Sequence, residues 1–286
     1  MTEMSAKIPK VALVMGGAQP LGRVTVLALA AQGFDVGIHC DRSRVGADDT
    51  LRQVQGLGRR AVLLQADLAD EAQVERLIPL AAEKLGPVGV LINNAGRCDR
   101  EAWDDVTRES WDAQMGANLR IPFVLIQAFA RALVPPAEGV VINMLDQPVS
   151  SPAPYVVSYT ISKAGLLAMT ETMALALAPR IRVNAIGPAP APALPTPRQI
   201  EAKFGQRVAS VPFGPGISPE EVARTAIMIL GSPGMTGQMV ALDGGQHRQW
   251  VPARNLHARN APMPNLPMPN LPMPNLPMRN VATPKE

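Results

Sequence analysis

From Val11 to Leu242 the chain alternates short, continuously apolar runs with longer segments of helical period, and few architectures accommodate that alternation. The apolar runs are Val11–Met15, Phe34–His39, Ala61–Gln65, Val88–Asn93, Val140–Met144, Ile181–Ile186 and Met239–Asp243. Their length and β-branched content predict strands. Between them, helices are expected over Leu21–Gln32, ended by Gly33, and over Val45–Leu57, ended by Gly58. A third starts at an Asp70 N-cap, carries Val74, Leu77, Ile78, Ala81 and Leu85 on one stripe, and stops at Gly86. A long helix is expected over Tyr159–Leu177. Ser218-Pro219-Glu220-Glu221 is a capping box that opens another, running to Leu230. No element is assigned between Asn93 and Val140.

Strands apolar along their whole length are buried on both faces, which means a parallel sheet covered by helices on each side. Right-handed crossovers then give an α/β, doubly wound Rossmann fold in a single domain, with ligands at the carboxyl ends of the strands. Residues 1–250 form this domain. Beyond Trp250 the composition changes: LPMPN recurs through Pro262–Met278, and prolines at that density forbid helix and sheet. Residues 251–286 are therefore expected to be a disordered or polyproline-like tail. The proline-rich run Ala189–Pro197 follows the sixth strand and would border a substrate pocket.

Composition excludes several classes. Cys40 and Cys98 fit no metal-ligand spacing and read as reduced thiols of a cytoplasmic protein. The N-terminus lacks the apolar core of a signal peptide, and no apolar run approaches the ~18–20 residues of a membrane span. The net charge is +3, and the segment from Pro252 carries +3 by itself, so the folded part is near neutral. Neither a nucleic-acid face nor a membrane surface is implied; a small-molecule substrate is.

After the first strand comes Met15-Gly16-Gly17-Ala18-Gln19-Pro20-Leu21-Gly22-Arg23. A glycine-bearing turn into a helix brings backbone N–H groups towards a pyrophosphate, where the helix dipole adds favourable potential. The second strand ends in His39-Cys40-Asp41-Arg42-Ser43. Arg42 and Ser43 suit the 2′-phosphate of NADPH, while Asp41 is the competing signal for NADH; NADPH is favoured.

Four motifs stand in order: the turn Gly16–Gly22, Ala66-Asp67-Leu68, Asn93-Asn94-Ala95-Gly96, and Tyr159-x-x-x-Lys163. With Asn118 in Asn118-Leu119-Arg120-Ile121-Pro122, Ile186-Gly187-Pro188 and Leu242-Asp243-Gly244-Gly245, the set resembles the short-chain dehydrogenase/reductase family over about residues 8–247. Tyr159 and Lys163 are i and i+4 on one helix and share a face, so the ammonium favours the phenolate and makes Tyr159 a proton donor near neutral pH. The resemblance implies that Lys163 also holds ribose hydroxyls and that Asn118 is a further catalytic residue. The expected cofactor-binding set is Gly16, Gly17, Leu21, Gly22, His39, Arg42, Ser43, Asp67, Leu68, Asn94, Ala95, Gly96, Tyr159, Lys163 and Pro188. No metal is expected. Tyr155 is read as pocket wall.

Most members of that family carry serine about 13 residues before the tyrosine; here stands Asp146. Aspartate there, with Gly33–His39 and Arg42-Ser43, resembles pteridine reductases and related dihydromonapterin/dihydrofolate reductases. That resemblance implies NADPH-dependent reduction of a pterin C=N bond, with an Asp146–Tyr159–Lys163 proton relay. The alternative for this position is a tolerated polar substitution, with Ser150 or Ser151 supplying the hydroxyl. Four departures bear on substrate and cofactor: Pro20 in place of an arginine, Cys98 in place of a stacking aromatic residue, Met15 in place of threonine or serine, and Ala189 in place of glycine. Three functions stay open: a pterin-type reductase, a carbonyl/alcohol oxidoreductase, and a cofactor-binding scaffold with little turnover. Relatives pair their long helices into tetramers; the apolar face Leu166, Leu167 and Met173 suggests a homo-oligomer, tetramer or dimer.

Overall fold

A computed structural model describes residues 4–41, 44–146, 152, 154–189 and 217–245. The 251–286 repeat, Arg42, Ser43, Ser150, Ser151 and all of the proline-rich run except Ala189 lie outside them. The strands are β1 (Val11–Val14), β2 (Asp35–Cys40), β3 (Ala61–Gln65), β4 (Val90–Asn93), β5 (Gly139–Met144), β6 (Ile181–Pro188) and β7 (Met239–Leu242). They form one sheet in the order β3-β2-β1-β4-β5-β6-β7. Every neighbouring pair is parallel. The order reverses between β1 and β4, which opens a crevice at their carboxyl ends. This is the doubly wound arrangement that the apolar runs predict.

Alternation along each strand feeds two cores. Ala12 and Val14 of β1 pack with Val26, Leu29, Ile38, Ile142 and Ile229 on one face. Leu13 and Met15 pack with Leu77, Ile78, Leu91, Ile126 and Phe129 on the other. Side chains this fully buried each contribute about 1.5–3 kcal/mol of transfer free energy, before conformational entropy is set against them.

The helices are α1 (Pro20–Ala31), α2 (Val45–Gly56), α3 (Glu71–Glu75), α4 (Leu77–Leu85), α5 (Arg108–Met115), α6 (Ile121–Ala132), α7 (Val157–Ala176) and α8 (Pro219–Leu230). Two differences from the sequence reading have clear causes. The expected helix from Asp70 to Gly86 is broken at Arg76 into α3 and α4. Pro79 has no N–H for the Glu75 carbonyl, so the α-helical ladder cannot run through. The stretch left unassigned holds α5 and α6, joined by a π-helical turn, Gly116–Arg120. Pro122 cannot donate to the Asn118 carbonyl, and the Ile121 N–H reaches back to the Gly116 carbonyl instead. The capping box at α8 forms as the sequence predicts: the Glu221 N–H donates to Ser218 Oγ at 3.2 Å and the Ser218 N–H to Glu221 Oε2 at 2.8 Å.

Candidate active site

A cavity of about 270 Å³ opens at the carboxyl ends of β1, β4, β5 and β6. Tyr159 and Lys163 reach it from α7, Asp146 and Leu145 from the exit of β5, and Asn94 and Gly96 from the exit of β4. Pro20 and Leu21 come from α1, Pro188 and Ala189 from β6 and its exit, and Pro219 and Val222 from α8. Met144, Arg97 and Cys98 complete the wall. Seven residues expected at the site thus share one cavity: Leu21, Asn94, Gly96, Asp146, Tyr159, Lys163 and Pro188. Tyr155 does not join them. It lies under the Arg100 guanidinium, 5.1 Å from the ring centre, outside that wall.

The Tyr159 hydroxyl donates to Asp146 Oδ2 at 2.7 Å. Lys163 Nζ donates to the Met144 carbonyl at 2.8 Å and lies 5.8 Å from the centre of the Tyr159 ring. Lys163 is buried, and burial lowers its pKa from 10.5; the nearby Asp146 and Cys98 act in the opposite sense. Sequence spacing anticipates the shared face of Tyr159 and Lys163. It gives no sign of the Met144 acceptor, since a backbone carbonyl has no signature in side-chain identity.

Asn118 stands behind the cavity. Buried in the π-helical turn, it accepts from the Arg97 N–H at 2.9 Å and donates to the Arg97 carbonyl at 2.8 Å. It also donates to Ser162 Oγ at 3.1 Å. Its side chain therefore fixes the stretch after β4 that carries Cys98. A second clasp, absent from the sequence reading, holds the far end of that stretch. Buried Glu101 accepts, through Oε1, from Gln114 Nε2 at 2.9 Å and from the Ser158 N–H at 3.1 Å. The local N-cap of α7, Val156, provides no side-chain bond, so Glu101 caps this helix from a distance. The spacing Glu101, Gln114, Ser158 has no local pattern that a sequence reading could use.

The glycine turn is held from inside. The Gly16 N–H donates to His39 Nδ1 at 3.0 Å, and the Gly17 N–H to the His39 carbonyl at 3.0 Å. Asn94 Nδ2 reaches the Met15 and Gly16 carbonyls at 3.1 and 3.3 Å. Gly16 has φ +63°, and a Cβ on Gly22 would sit 2.1 Å from the Gly16 oxygen, so both positions exclude a side chain. The first two N–H groups of the turn are thus committed to His39 rather than presented outward. The first turn of α1, at Leu21 and Gly22, keeps N–H groups that the helix itself does not use. Asp67, at the exit of β3, closes its own turn by accepting from the Ala69 N–H at 2.9 Å. Leu68 packs on the core beside it. Ala95 and Gly96 follow Asn94 at the exit of β4.

His39 is 1% exposed, and its Nε2 lies 3.1 Å from the Ala66 carbonyl. Burial lowers its pKa from 6.5, with the Ala66 bond and Asp41 opposing. The folded chain takes up this proton at lower pH than the unfolded chain. The contribution of His39 to stability is therefore complete above 6.5 and declines as pH falls below it towards the folded value. Denaturant unfolding between pH 8 and 5 should show that decline, and it should be shallower in His39→Asn. Equal slopes in the two proteins would contradict the assignment.

Comparison with known proteins agrees with this geometry. Residues 10–198 match the family profile described as short chain dehydrogenase. A 3-oxoacyl-[acyl-carrier-protein] reductase of Synechocystis sp. is 30% identical over 245 residues, covering 85% of this chain and 98% of that one. Among solved structures, FolM alternative dihydrofolate reductase 1 from Brucella canis, complexed with NADP, superposes with a TM-score of 0.80 at 37% identity, covering 87% and 98% of the two chains. Its counterpart from Brucella suis, also in complex with NADP, gives 0.79 at 38% identity, covering 84% and 96%.

Proposed function

The chain belongs to the short-chain dehydrogenase family and is an oxidoreductase, and from that premise we propose that it is an NADPH-dependent reductase of a pterin-like C=N bond. The observation that carries the substrate class is the 2.7 Å pairing of Tyr159 with Asp146, a carboxylate where a carbonyl reductase needs only a hydroxyl. The likeness to two dihydrofolate reductases of the FolM kind supports the same reading.

The residues present fit a dinucleotide. Any side chain at Gly22 would collide with the backbone of the turn, so glycine lets α1 pack close against it, with its first N–H groups at the crevice. Gly16, Gly17 and Gly22 shape it; the N–H groups of Leu21 and Gly22 would bind the pyrophosphate, and Asp67 with Leu68 the adenine. Arg42 and Ser43, outside the described residues, would bind the 2′-phosphate. Asn94, Ala95, Gly96, Lys163 and Pro188 would hold the nicotinamide half. When bound, the cofactor supplies hydride to the carbon of the substrate's C=N bond. Tyr159 Oη gives the ring nitrogen its proton, so one carbon–hydrogen and one nitrogen–hydrogen bond form as the π bond is lost. The charged Lys163 lowers the cost of the phenolate left behind. Asp146, protonated from solvent, returns a proton to it. Asn118 keeps Arg97 and Cys98 in place against the substrate.

Asp146→Asn keeps a hydrogen-bond partner for Tyr159 and removes the returnable proton. Turnover of dihydropteridines should fall about 10²-fold, with NADPH affinity unchanged. The assay follows NADPH oxidation with dihydropteridines, dihydrofolate and a panel of ketones; turnover of ketones alone would refute the pterin reading. The runner-up, a carbonyl reductase, draws on one observation: the cavity wall offers Pro20 and Cys98 where pteridine reductases carry an arginine and an aromatic ring.

Among the described residues no helix is long and apolar enough to cross a membrane. Cys40 and Cys98 are both thiols, which fits a reducing, cytoplasmic setting. Self-association is supported by a different face of α7 from the one expected. Leu166 is buried against Leu145 and Ala185 in the chain's own core, whereas Ile161 and Leu175 are exposed. Beside α7 an open groove is lined by Met115, Leu119, Phe123 and Met169. A homo-oligomer burying these faces should elute above monomer mass in light-scattering chromatography at micromolar concentration; a monomer there would count against it.

A further inference from the structure

We propose that His39 is a positioning residue for dinucleotide binding: its neutral ring clasps the glycine turn to the loop after β3, so that the two walls of the nucleotide crevice hold as one unit. This rests on the reading of the site as dinucleotide-binding. His39 is the penultimate residue of β2, which lies between β1 and β3 in the sheet. Each of those strands delivers one wall of the crevice at its carboxyl end. From this midpoint the ring spans both exits. Nδ1 accepts the Gly16 N–H at 3.0 Å, and Nε2 stands 3.1 Å from the Ala66 carbonyl.

The two partners dictate the tautomer. A backbone N–H can only donate, so Nδ1 must be bare; a carbonyl can only accept, so Nε2 must carry the proton. The ring holds its acceptor at Nδ1 and its donor at Nε2, one atom further from the backbone than the donor of an asparagine that accepts at the same place. The main chain adds to the clasp, because the His39 carbonyl takes the next N–H of the turn, from Gly17, at 3.0 Å. Two successive N–H groups of the turn are therefore held by one residue. That leaves the first turn of α1 to meet the phosphate, at a height set by His39. His39 itself, 1% exposed, has no surface for the ligand. Its ring acts through Gly16 and Ala66.

The test uses the full chain and three proteins: wild type, His39→Asn and His39→Leu. Asparagine can accept from Gly16 but cannot span to Ala66; leucine keeps the burial and loses both bonds. NADPH affinity is read by titration, kcat at saturating NADPH by the reductase assay, and amide exchange by peptide-level mass spectrometry. NADPH Kd should rise about tenfold or more in His39→Leu and by less in His39→Asn, while kcat at saturation changes less than about threefold. Exchange should quicken in both residues 15–19 and 65–69 of His39→Leu, but mainly in 65–69 of His39→Asn. The chain has three histidines, so nitrogen-15 labelling of histidine should resolve one neutral ring protonated at Nε2 in the wild type. Unchanged NADPH affinity in a folded His39→Leu protein overturns the proposal, as does an equal loss in Kd and kcat. A wild-type chain that binds no NADPH refutes the functional reading instead, and exchange at the two segments then judges the clasp alone: quickening in one segment only, or in neither, overturns it.

Discussion

Replacing Tyr159 by phenylalanine should abolish nearly all turnover and leave the protein otherwise intact. The ring stays, with its contacts in the cavity wall; only the hydroxyl that donates to Asp146 Oδ2 at 2.7 Å is lost. That hydroxyl is the proton source for the substrate nitrogen, and a positioned general acid accounts for about 10²–10⁴ in rate. The expected fall in kcat lies in that range. NADPH affinity should change by less than about threefold, because the hydroxyl is engaged by Asp146 and not by the glycine turn. Stability should drop by about 1 kcal/mol, the net worth of one hydrogen bond. Steady-state kinetics beside an NADPH titration measure both quantities. A variant retaining a tenth of the activity would remove Tyr159 from the chemistry. Parallel losses of rate and binding would make it a structural residue.

Gly22→Ala should act on the other half of the site. The added Cβ would meet the Gly16 oxygen at 2.1 Å and Asn94 Nδ2 at 2.9 Å. The first of these is backbone, which cannot rotate away. Either the turn opens or α1 shifts, and overpacking of this kind costs about 1–3 kcal/mol or more. In a domain of this size that lowers Tm by about 2–4 °C for each kcal/mol. The larger effect falls on the cofactor, since the turn and the first turn of α1 are the surfaces a dinucleotide would use. NADPH affinity should fall at least about a hundredfold, an estimate that assumes loss of two charge-assisted hydrogen bonds. Calorimetric titration of NADPH measures it, with a melting curve to confirm that the variant folds. Wild-type affinity in Gly22→Ala would place the cofactor elsewhere.

The fold was legible because the strands are apolar runs, and in β1, β2, β4 and β5 burial along the whole strand agrees with that pattern; the edge strands β3 and β7 are only partly buried. The catalytic pair was legible because an i, i+4 spacing on a long helix is geometry written in sequence. What stayed hidden has physical causes. The stretch holding α5 and α6 shows no clean stripe: α6 buries Ile121, Pro122, Val124, Leu125, Ile126 and Phe129 on much of its girth, and Pro122 looks like a breaker. The break at Arg76 follows from Pro79, which an intact hydrophobic stripe concealed. His39 reads as a ligand contact in the sequence because it ends the second strand, and only the fold shows it facing inward. The clasp of Glu101 on the N-terminus of α7 depends on three residues distant in the chain, which no local pattern records.

The cavity divides its labour between two kinds of wall. Asp146, Tyr159 and Lys163 stand on the exit of β5 and on α7, tied to backbone or to each other. Pro20, Ala189 and Val222 come from three separate segments and add apolar shape to the wall. Selection can therefore work on the second set while the first is left alone. A chain built this way can drift from one substrate to another by single exchanges at the wall, each of small cost, with proton transfer preserved throughout.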